Sequence, residues 1–174
     1  MRTEIRIAGF GGQGVVLAGL LLGEAAIRDG KYAVQTQSYG PESRGGASRS
    51  EVVISNQKID YPKVIEADIL VVLSQIAYDR YRSSVKRSGT TIIDSDLVEG
   101  EGNNLHSVPF IRIADNLGKK VVANSVMIGY LLASTEMISI DTMETTIRET
   151  VPEQTIDLNM KALQRGIQFW KTGE

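Results

Sequence analysis

The chain has 174 residues, a formal net charge of −2 and 42% hydrophobic residues. This length suits one hydrophobic core, and we predict a single domain over residues 1–174. The near-neutral charge gives no general attraction for nucleic acid or for an anionic membrane surface. The chain contains no cysteine, which excludes disulfides, thiolate catalysis and iron–sulfur ligation by its own residues.

The longest apolar stretch, residues 14–23, is about half the length of a membrane span. The start of the chain also lacks the charge and apolar layout of a signal peptide. We therefore expect a cytoplasmic protein that binds neither membranes nor nucleic acid. The single histidine, His106, lies in a polar stretch and is expected to be a solvated loop residue.

The first half of the chain alternates the sequence patterns of strands and helices. The predicted strands cover residues 5–8, 32–38, 50–55, 58–61, 67–73 and 90–93. A helix is predicted over residues 14–29 with Gly30 as its C-terminal cap, and a polar helix over residues 75–86. The strands on either side of Asn56 and Gln57 are predicted to form a β-hairpin.

The last third of the chain is predicted to be helical, after a short strand at residues 110–113. Residues 121–134 are apolar, Asp141 with Glu144 resembles a capping box, and Pro152 suits the first turn of a last helix. The βαβ beginning and the added hairpin predict a mixed sheet. We therefore predict an α/β fold with three α/β/α layers, a Rossmann-like sheet and a helical C-terminal third.

The predicted first helix is apolar nearly all round. Between residues 15 and 22 each residue is apolar or glycine, and the charged residues of this helix before Asp29 are Glu24 and Arg28, spaced as an i,i+4 pair. A helix of this kind must be covered on more than one side. We expect other helices or a neighbouring chain to supply that cover.

A glycine-rich loop, Gly9-Phe10-Gly11-Gly12-Gln13-Gly14, joins the first strand to this helix. Its glycines permit close approach of a ligand, and the helix start presents free N–H groups to an anion. A dinucleotide site would also need an acid at the end of the second strand, and residues 35–39 contain none. Arg44 could contact the 2′-phosphate of NADP, but it lies well into a loop. NAD(P) therefore stays one alternative beside a phosphate-bearing or pantetheine-type molecule, a partner's loop, and glycines that serve packing alone.

A second loop, residues 39–46, has the sequence YGPESRGG. It sets an aromatic ring, a carboxylate and a guanidinium among turn-forming residues. Arg44 suits bidentate binding of phosphate or carboxylate. The alternative is an exposed turn in which Glu42 and Arg44 are solvated.

These segments together resemble the gamma subunit of the 2-oxoacid:ferredoxin (acceptor) oxidoreductases. The resemblance rests on the GFGGQG loop, the SYGPESRGG segment at residues 38–46 and the SEVVIS strand at residues 50–55. Further matches are Ala67, Asp68, Leu73, Ser74, Gln75, Asn124, Gly129, Asn159, Ala162 and Gly166. The second loop, followed by IDYP at residues 59–62, looks most like the 2-oxoglutarate type.

The resemblance implies a subunit of a heteromeric enzyme that converts 2-oxoglutarate to succinyl-CoA and reduces ferredoxin or a similar acceptor. Thiamine diphosphate and iron–sulfur clusters would lie in alpha and beta subunits and in a ferredoxin-like subunit or domain. This chain would bind no cofactor by itself, hold no metal and carry no catalytic residue. The alternatives are a stand-alone Rossmann-type NAD(P)-binding oxidoreductase and a nucleotide-binding regulator.

By the same resemblance, this chain would help to form the coenzyme A site in the assembled enzyme. The expected contacts with coenzyme A or a partner loop are Gly9, Gly11, Gly12, Gln13, Gly14, Tyr39, Glu42, Arg44, Gly45, Gly46 and Asn124. When isolated, the chain is expected to be able to form a homodimer.

Replacement of Arg44 tests the second loop. If Arg44 binds coenzyme A or a partner acid, Arg44→Ala should lose about 1.5–3 kcal/mol from a charged hydrogen bond. That loss corresponds to a roughly ten- to hundredfold higher KM for coenzyme A, or to weaker subunit association. Arg44→Lys should recover part of it, because lysine lacks the planar fork. If the KM for coenzyme A and the yield of the complex both stay within about twofold of wild type in Arg44→Ala, Arg44 is a solvated turn residue.

Overall fold

A computed structural model describes residues 1–38 and 48–173 of the chain. Its strands are β1 Arg2–Gly9, β2 Tyr32–Ser38, β3 Ser48–Ser55, β4 Ala67–Val72, β5 Val85–Asp94 and β6 Leu105–Val108. Its α-helices are α1 Val15–Arg28, α2 Gln75–Tyr81, α3 Phe110–Asn116, α4 Ala123–Thr135, α5 Ile140–Thr150 and α6 Ile156–Thr172. Short 3₁₀ turns occupy Arg82–Ser84, Lys120–Val122 and Glu153–Thr155.

The described strands form one mixed sheet in the order β2-β3-β1-β4-β5-β6. Strands β1, β4, β5 and β6 are parallel to their neighbours in this series, whereas β3 runs antiparallel to both β1 and β2. The α/β fold with a mixed sheet, predicted from the alternation of strands and helices, is confirmed. Strand β3 lies between the two strands that flank α1, so these two strands do not touch.

Helices cover both faces of the sheet. On β4, Ile69 and Val71 point into the larger core with α1, α3, α4, α5 and α6, whereas Leu70 and Val72 point towards α2. The alternation explains why this strand is apolar at consecutive positions, as the sequence predicted. The three-layer arrangement with a helical C-terminal third is therefore confirmed. Among the helices of the described residues, none is long and apolar enough to cross a membrane.

The prediction of a second hairpin strand at residues 58–61 is wrong. Residues 58–61 form no strand, and β3 instead pairs with β1 along one edge and with β2 along the other. Both edges of β3 are thus occupied by other strands, so no free edge remains for residues 58–61. Pro62, which lacks a backbone N–H, follows directly.

The predicted strand at residues 110–113 is also wrong, because this segment begins helix α3. Its first turn is held by the buried Asp94 carboxylate, which accepts a hydrogen bond from the N–H of Ile111 at 3.0 Å. A four-residue apolar run does not distinguish a strand from a buried helix. The contact that decides between them comes from a residue at the end of β5, far along the chain.

His106 is not the solvated loop residue that the sequence suggested. It lies in β6, where its Nδ1 is 2.9 Å from the hydroxyl of Tyr130, and its ring stacks on Trp170 at 5.8 Å. The strand escaped prediction because it is only four residues long and its two central residues, His106 and Ser107, are polar. These three side chains tie the last strand to α4 and α6.

Two helix boundaries differ from prediction. Ser139, rather than Asp141, caps α5, since its Oγ accepts the N–H of Thr142 at 3.1 Å. The predicted partner Glu144 instead accepts a hydrogen bond from Gln164 on α6. Helix α2 ends at Tyr81, not at residue 86, because the chain enters β5 at Val85 to pair with β4.

Helix α1 is covered on several sides within the chain itself. The sheet lies beneath it, and α4 and α5 pack beside it. Its two charged side chains do not pair with each other, because Arg28 forms an ion pair with Glu149 and Glu24 accepts a hydrogen bond from Thr150. Leu20 and Ile27 are 37% and 58% exposed, so one stripe of α1 stays open.

Helices α4 and α6 cross with their backbones in contact. A Cβ atom on Gly129 would overlap the carbonyl oxygen of Leu163, and one on Gly166 would overlap that of Val126. Near the same crossing, Ser125 Oγ donates to Asn159 Oδ1 at 2.7 Å, and both residues are buried. Two glycines on facing helices therefore set the distance between α4 and α6.

Gly166→Ala should destabilise the fold by about 3 kcal/mol, because the added methyl group meets a helix backbone that cannot rotate away. Gly23→Ala is the matched control within α1, where the new Cβ would meet only Gln35 Cβ at 3.9 Å. This control should be neutral or gain up to about 1 kcal/mol from helix propensity. Urea unfolding of both variants gives the comparison. Equal stabilities would show that the α4–α6 contact is not tight.

Candidate functional site

The candidate site lies at the edge where the parallel strands end. The glycine loop follows β1 towards α1 on one face of the sheet, and the next strand, β4, leads to α2 on the opposite face. Neighbouring parallel strands whose connections leave in opposite directions open a crevice between them. Ligands of α/β proteins bind at such crevices.

Two glycines of the loop adopt backbone conformations that other residues rarely reach. Gly12 and Gly14 have φ angles of 87° and 73°. At Gly14 a Cβ atom would also lie 2.8 Å from the side-chain nitrogen of Asn124. The loop therefore needs glycine at residue 14 for its conformation and for its contact with α4.

The predicted contact residue Asn124 lies behind the loop. It is only 3% exposed, and its Oδ1 accepts the N–H of Ser125 at 2.9 Å in the first turn of α4. Its amide packs directly against Gly14. In the described residues, Asn124 therefore supports the base of the loop.

Gln13 also turns into the protein. Its Oε1 accepts the N–H of Phe10 at 2.6 Å, and its Nε2 donates to the carbonyl oxygen of Leu73 at 2.9 Å. Leu73 follows β4, so this side chain spans the crevice between β1 and β4. The remaining predicted loop residue, Gly9, packs against Gln13, because a Cβ there would overlap Oε1.

A cavity of about 550 Å³ opens on the outer side of the loop. Its described lining consists of Phe10, Gly11, Gly12, Gly14, Val15, Val16, Leu17 and Ser48. No atom of the described residues lies within 4 Å of the Cβ positions of Gly11 and Gly12, their own chain neighbours aside. The cavity thus gives a ligand direct access to the backbone at the tip of the loop.

The start of α1 forms one wall of this cavity. Its N-cap residue is Gly14, no side chain in residues 1–38 or 48–173 caps the helix, and its first turn contains no acidic residue. The first backbone N–H groups of a helix have no partner within it and form the positive end of its dipole. This wall therefore favours an anionic group.

The predicted site residues Tyr39, Glu42, Arg44, Gly45 and Gly46 lie outside the described residues. Ser38, which precedes this segment, ends β2, and Ser48, which follows it, pairs with Gly9. The chain therefore leaves and re-enters the sheet at the same edge as the glycine loop.

Sequence reasoning did not find Asp94, the fully buried carboxyl group at the end of β5. Burial raises the pKa of this carboxyl group, and hydrogen bonds from the N–H groups of Ile111 and Asp96 oppose the rise. One bond comes from the turn that follows β5 and the other from the first turn of α3, so Asp94 anchors α3 to the end of β5. An aspartate directly after Ile92 and Ile93, at the end of the predicted strand at residues 90–93, was the available signal.

A buried ion pair was also missed. Arg6 Nε and Glu51 Oε1 are 2.7 Å apart, and the residues are 5% and 6% exposed. Arg6 also donates to the carbonyl oxygen of Val64 and lies over the ring of Tyr81. Because the two residues are direct partners across β1 and β3, the pair fixes the register of these strands. The signal was a single charged residue in each of two predicted strands, Arg6 in residues 5–8 and Glu51 in residues 50–55.

The described cavity lining carries no carboxylate, imidazole or amine. Elsewhere in the described ranges, no cluster of three or more histidine, aspartate or glutamate side chains could hold a metal ion. What the described residues offer is a backbone surface for a ligand.

The NAD(P) alternative meets a geometric obstacle. In a dinucleotide site the second strand lies next to the first, so that an acid at its end reaches the ribose. Here β3 separates them, which places the end of β2 about 10 Å from β1 at the usual strand spacing. The residue at that end is Ser38.

The fold and the loop define the class of this chain, an α/β ligand-binding or interaction domain of Rossmann-like build. The family model for pyruvate ferredoxin/flavodoxin oxidoreductase matches residues 4–169, and the chain belongs to this family. One relative, 2-oxoglutarate synthase subunit KorC of Methanocaldococcus jannaschii, is 49% identical over 98% of this chain and 95% of its own length. The predicted resemblance to the 2-oxoglutarate type is confirmed.

Solved structures have the same fold. A keto/oxoacid ferredoxin oxidoreductase gamma subunit from Geobacter sulfurreducens is 42% identical, with a TM-score of 0.87 over 97% of this chain and 98% of that one. A 2-oxoglutarate:ferredoxin oxidoreductase from Magnetococcus marinus, with 2-oxoglutarate, coenzyme A and succinyl-CoA bound, gives a TM-score of 0.86. It is 21% identical, and this chain spans 31% of its length, so this likeness shows the fold alone.

Gly14→Ala should destabilise the isolated chain by about 2 kcal/mol or more, because a left-handed residue gains a Cβ and that atom meets Asn124. For a chain of this size the midpoint of thermal unfolding should fall by roughly 4–8 °C. Gly11→Ala is the matched control, since its new Cβ meets no atom of the described part of the chain within 4 Å and Gly11 has no positive φ. Similar melting curves for both variants would contradict the described loop geometry.

Proposed function

We propose that this chain is the gamma subunit of a heteromeric 2-oxoglutarate:ferredoxin oxidoreductase. The complex would convert 2-oxoglutarate and coenzyme A to succinyl-CoA and carbon dioxide while it reduces ferredoxin or a similar acceptor. The relative from M. jannaschii, named as a 2-oxoglutarate synthase subunit and similar over nearly its whole length, supports this substrate. The specificity itself would reside in the partner subunits.

Within this complex, the chain would contribute binding surface and no catalytic group. The described cavity lining has no carboxylate, imidazole or amine to act as a general acid or base, and the chain has no cysteine for a cluster. Thiamine diphosphate and iron–sulfur clusters would therefore belong to the alpha and beta subunits and to a ferredoxin-like subunit or domain. The chain's own contribution would be to hold and orient a ligand.

The observation that carries the proposed role in coenzyme A binding is the start of α1 beside the glycine loop, which no side chain of the described residues caps. Coenzyme A carries phosphate groups, which suit free N–H groups and the positive end of a helix. The open Cβ positions of Gly11 and Gly12 allow such a group to approach the backbone. At about 550 Å³, the cavity would hold one part of coenzyme A, and partner subunits would cover the rest.

Apolar surface beside the site suits burial against a partner subunit. A groove of about 250 Å³ runs past Leu17, Val122, Asn124 and Leu158, so it adjoins both the cavity and the support of the loop. Val121, which also lines it, is 65% exposed. In the isolated chain, association of two copies would be one way to cover such surface.

The isolated chain should have no 2-oxoacid oxidoreductase activity. With thiamine diphosphate, coenzyme A, 2-oxoglutarate and a viologen dye, it should reduce no dye. Coexpression with the alpha and beta subunits should produce succinyl-CoA, and omission of this chain should abolish that product. Turnover by the pure chain would contradict the proposed division of labour.

Gly11→Ala tests the coenzyme A site without disturbing the fold. The added methyl group should block close approach of the ligand to the loop and raise the KM for coenzyme A at least tenfold in the assembled enzyme. That factor corresponds to about 1.4 kcal/mol of binding free energy. The KM for 2-oxoglutarate should stay within about twofold, because this substrate would bind in other subunits. An unchanged KM for coenzyme A would place its site elsewhere.

A further inference from the structure

We infer that Gln13 is a positioning residue, which holds the glycine loop in its ligand-receiving shape from the inner side and does not contact the ligand. The inference deepens the proposed function and rests on the proposed coenzyme A site. It also changes the expected role of Gly9, which makes room for Gln13.

Both ends of the Gln13 amide bind backbone groups of the protein. The oxygen accepts the N–H of Phe10, and the nitrogen donates to the carbonyl oxygen of Leu73. The side chain lies against the backbone of Gly9 so closely that a Cβ atom there would overlap it. An amide fixed in this way points towards β4, whereas the cavity opens on the outer side of the loop.

These contacts determine the shape of the loop tip. The backbone N–H of Gln13 donates to the carbonyl oxygen of Phe10 at 3.3 Å. In turn, the side-chain Oε1 of Gln13 accepts a hydrogen bond from the N–H of Phe10. The two bonds close residues 10–13 into a turn with Gly11 and Gly12 at its outer end. The bond to Leu73 then fixes this turn relative to the end of β4.

A positioning residue and a ligand contact differ in what they change. Loss of a direct contact weakens ligand binding and leaves the free protein as it was. Loss of a positioning bond also loosens the free loop, and the ligand must then pay the entropy of ordering it. The distinguishing measurement is therefore made on the chain without coenzyme A.

Gln75 offers a matched control at the same edge of the sheet. Its Nε2 donates to the carbonyl oxygen of Glu99 at 3.2 Å, and its Oε1 accepts the N–H of Glu99 at 2.8 Å. It is thus a second glutamine whose side chain binds backbone groups of a loop, the loop after β5. It does not line the cavity beside the glycine loop.

The test compares Gln13→Met, Gln13→Glu and Gln75→Met. Amide hydrogen exchange of the free chain is measured by NMR, and KM for coenzyme A and kcat are measured after reconstitution with the partner subunits. Gln13→Met should speed exchange at Phe10 at least tenfold and raise the KM at least tenfold, with kcat at saturating coenzyme A within about threefold. Gln13→Glu, which keeps the acceptor for Phe10, should retain most of the protection at Phe10. Gln75→Met should speed exchange at Glu99 alone and leave the KM unchanged.

Three results would overturn the inference. A higher KM with unchanged exchange at Phe10 would make Gln13 a direct ligand contact. Faster exchange with an unchanged KM would show that the loop shape does not matter for coenzyme A. No change in either would remove Gln13 from the site. Failure of the coenzyme A site itself is read separately, from an unchanged KM in Gly11→Ala.

Discussion

The backbone contact between α4 and α6 is the constraint on which the site depends. Gly129 and Gly166 let the two helices meet without intervening side chains. The depth at which α4 lies then places Asn124 against Gly14, and Gly14 begins α1. The ligand-facing loop is therefore supported by a helix crossing formed about 110 residues or more further along the chain. Helix packing and loop conformation are parts of one arrangement.

The antiparallel strand β3 gives this sheet a strand order different from that of a dinucleotide-binding fold with a similar glycine loop. It separates β1 from β2, so the end of β2 cannot take part in holding a ribose beside the loop. In exchange, β3 begins at Ser48, opposite Gly9, and brings the chain back to the loop. The same six-residue glycine pattern thus lies in a different strand arrangement, and a motif alone does not define the function of a fold.

Much of the fold could be predicted because its signals are local. Strand β2, helix α1 with Gly30 after it, and the doubly buried β4 follow from apolar periodicity and from glycine. The errors occur where a distant contact decides, as at α3, which depends on Asp94, and at residues 58–61, where β3 has no free edge. In the site, the sequence placed Gly9, Gln13 and Asn124 among the contacts, but side-chain direction is a property of packing. Here the side chains of Gln13 and Asn124 and the Cβ position of Gly9 all point towards other residues of the chain.

The position of β1 in the sheet also limits the order in which the molecule can assemble. Its two neighbours come from residues 48–55 and 67–72, so β1 gains its second neighbour only after residue 72 has been made. Until then the edge of β1 that faces β4 has no partner, although Ile5 and Ile7 are fully buried in the final core. Closing such long loops lowers the entropy of the chain before the stabilising contacts form, which slows folding. During synthesis β1 therefore presents an unpaired edge, at which another chain can pair, until β4 is available.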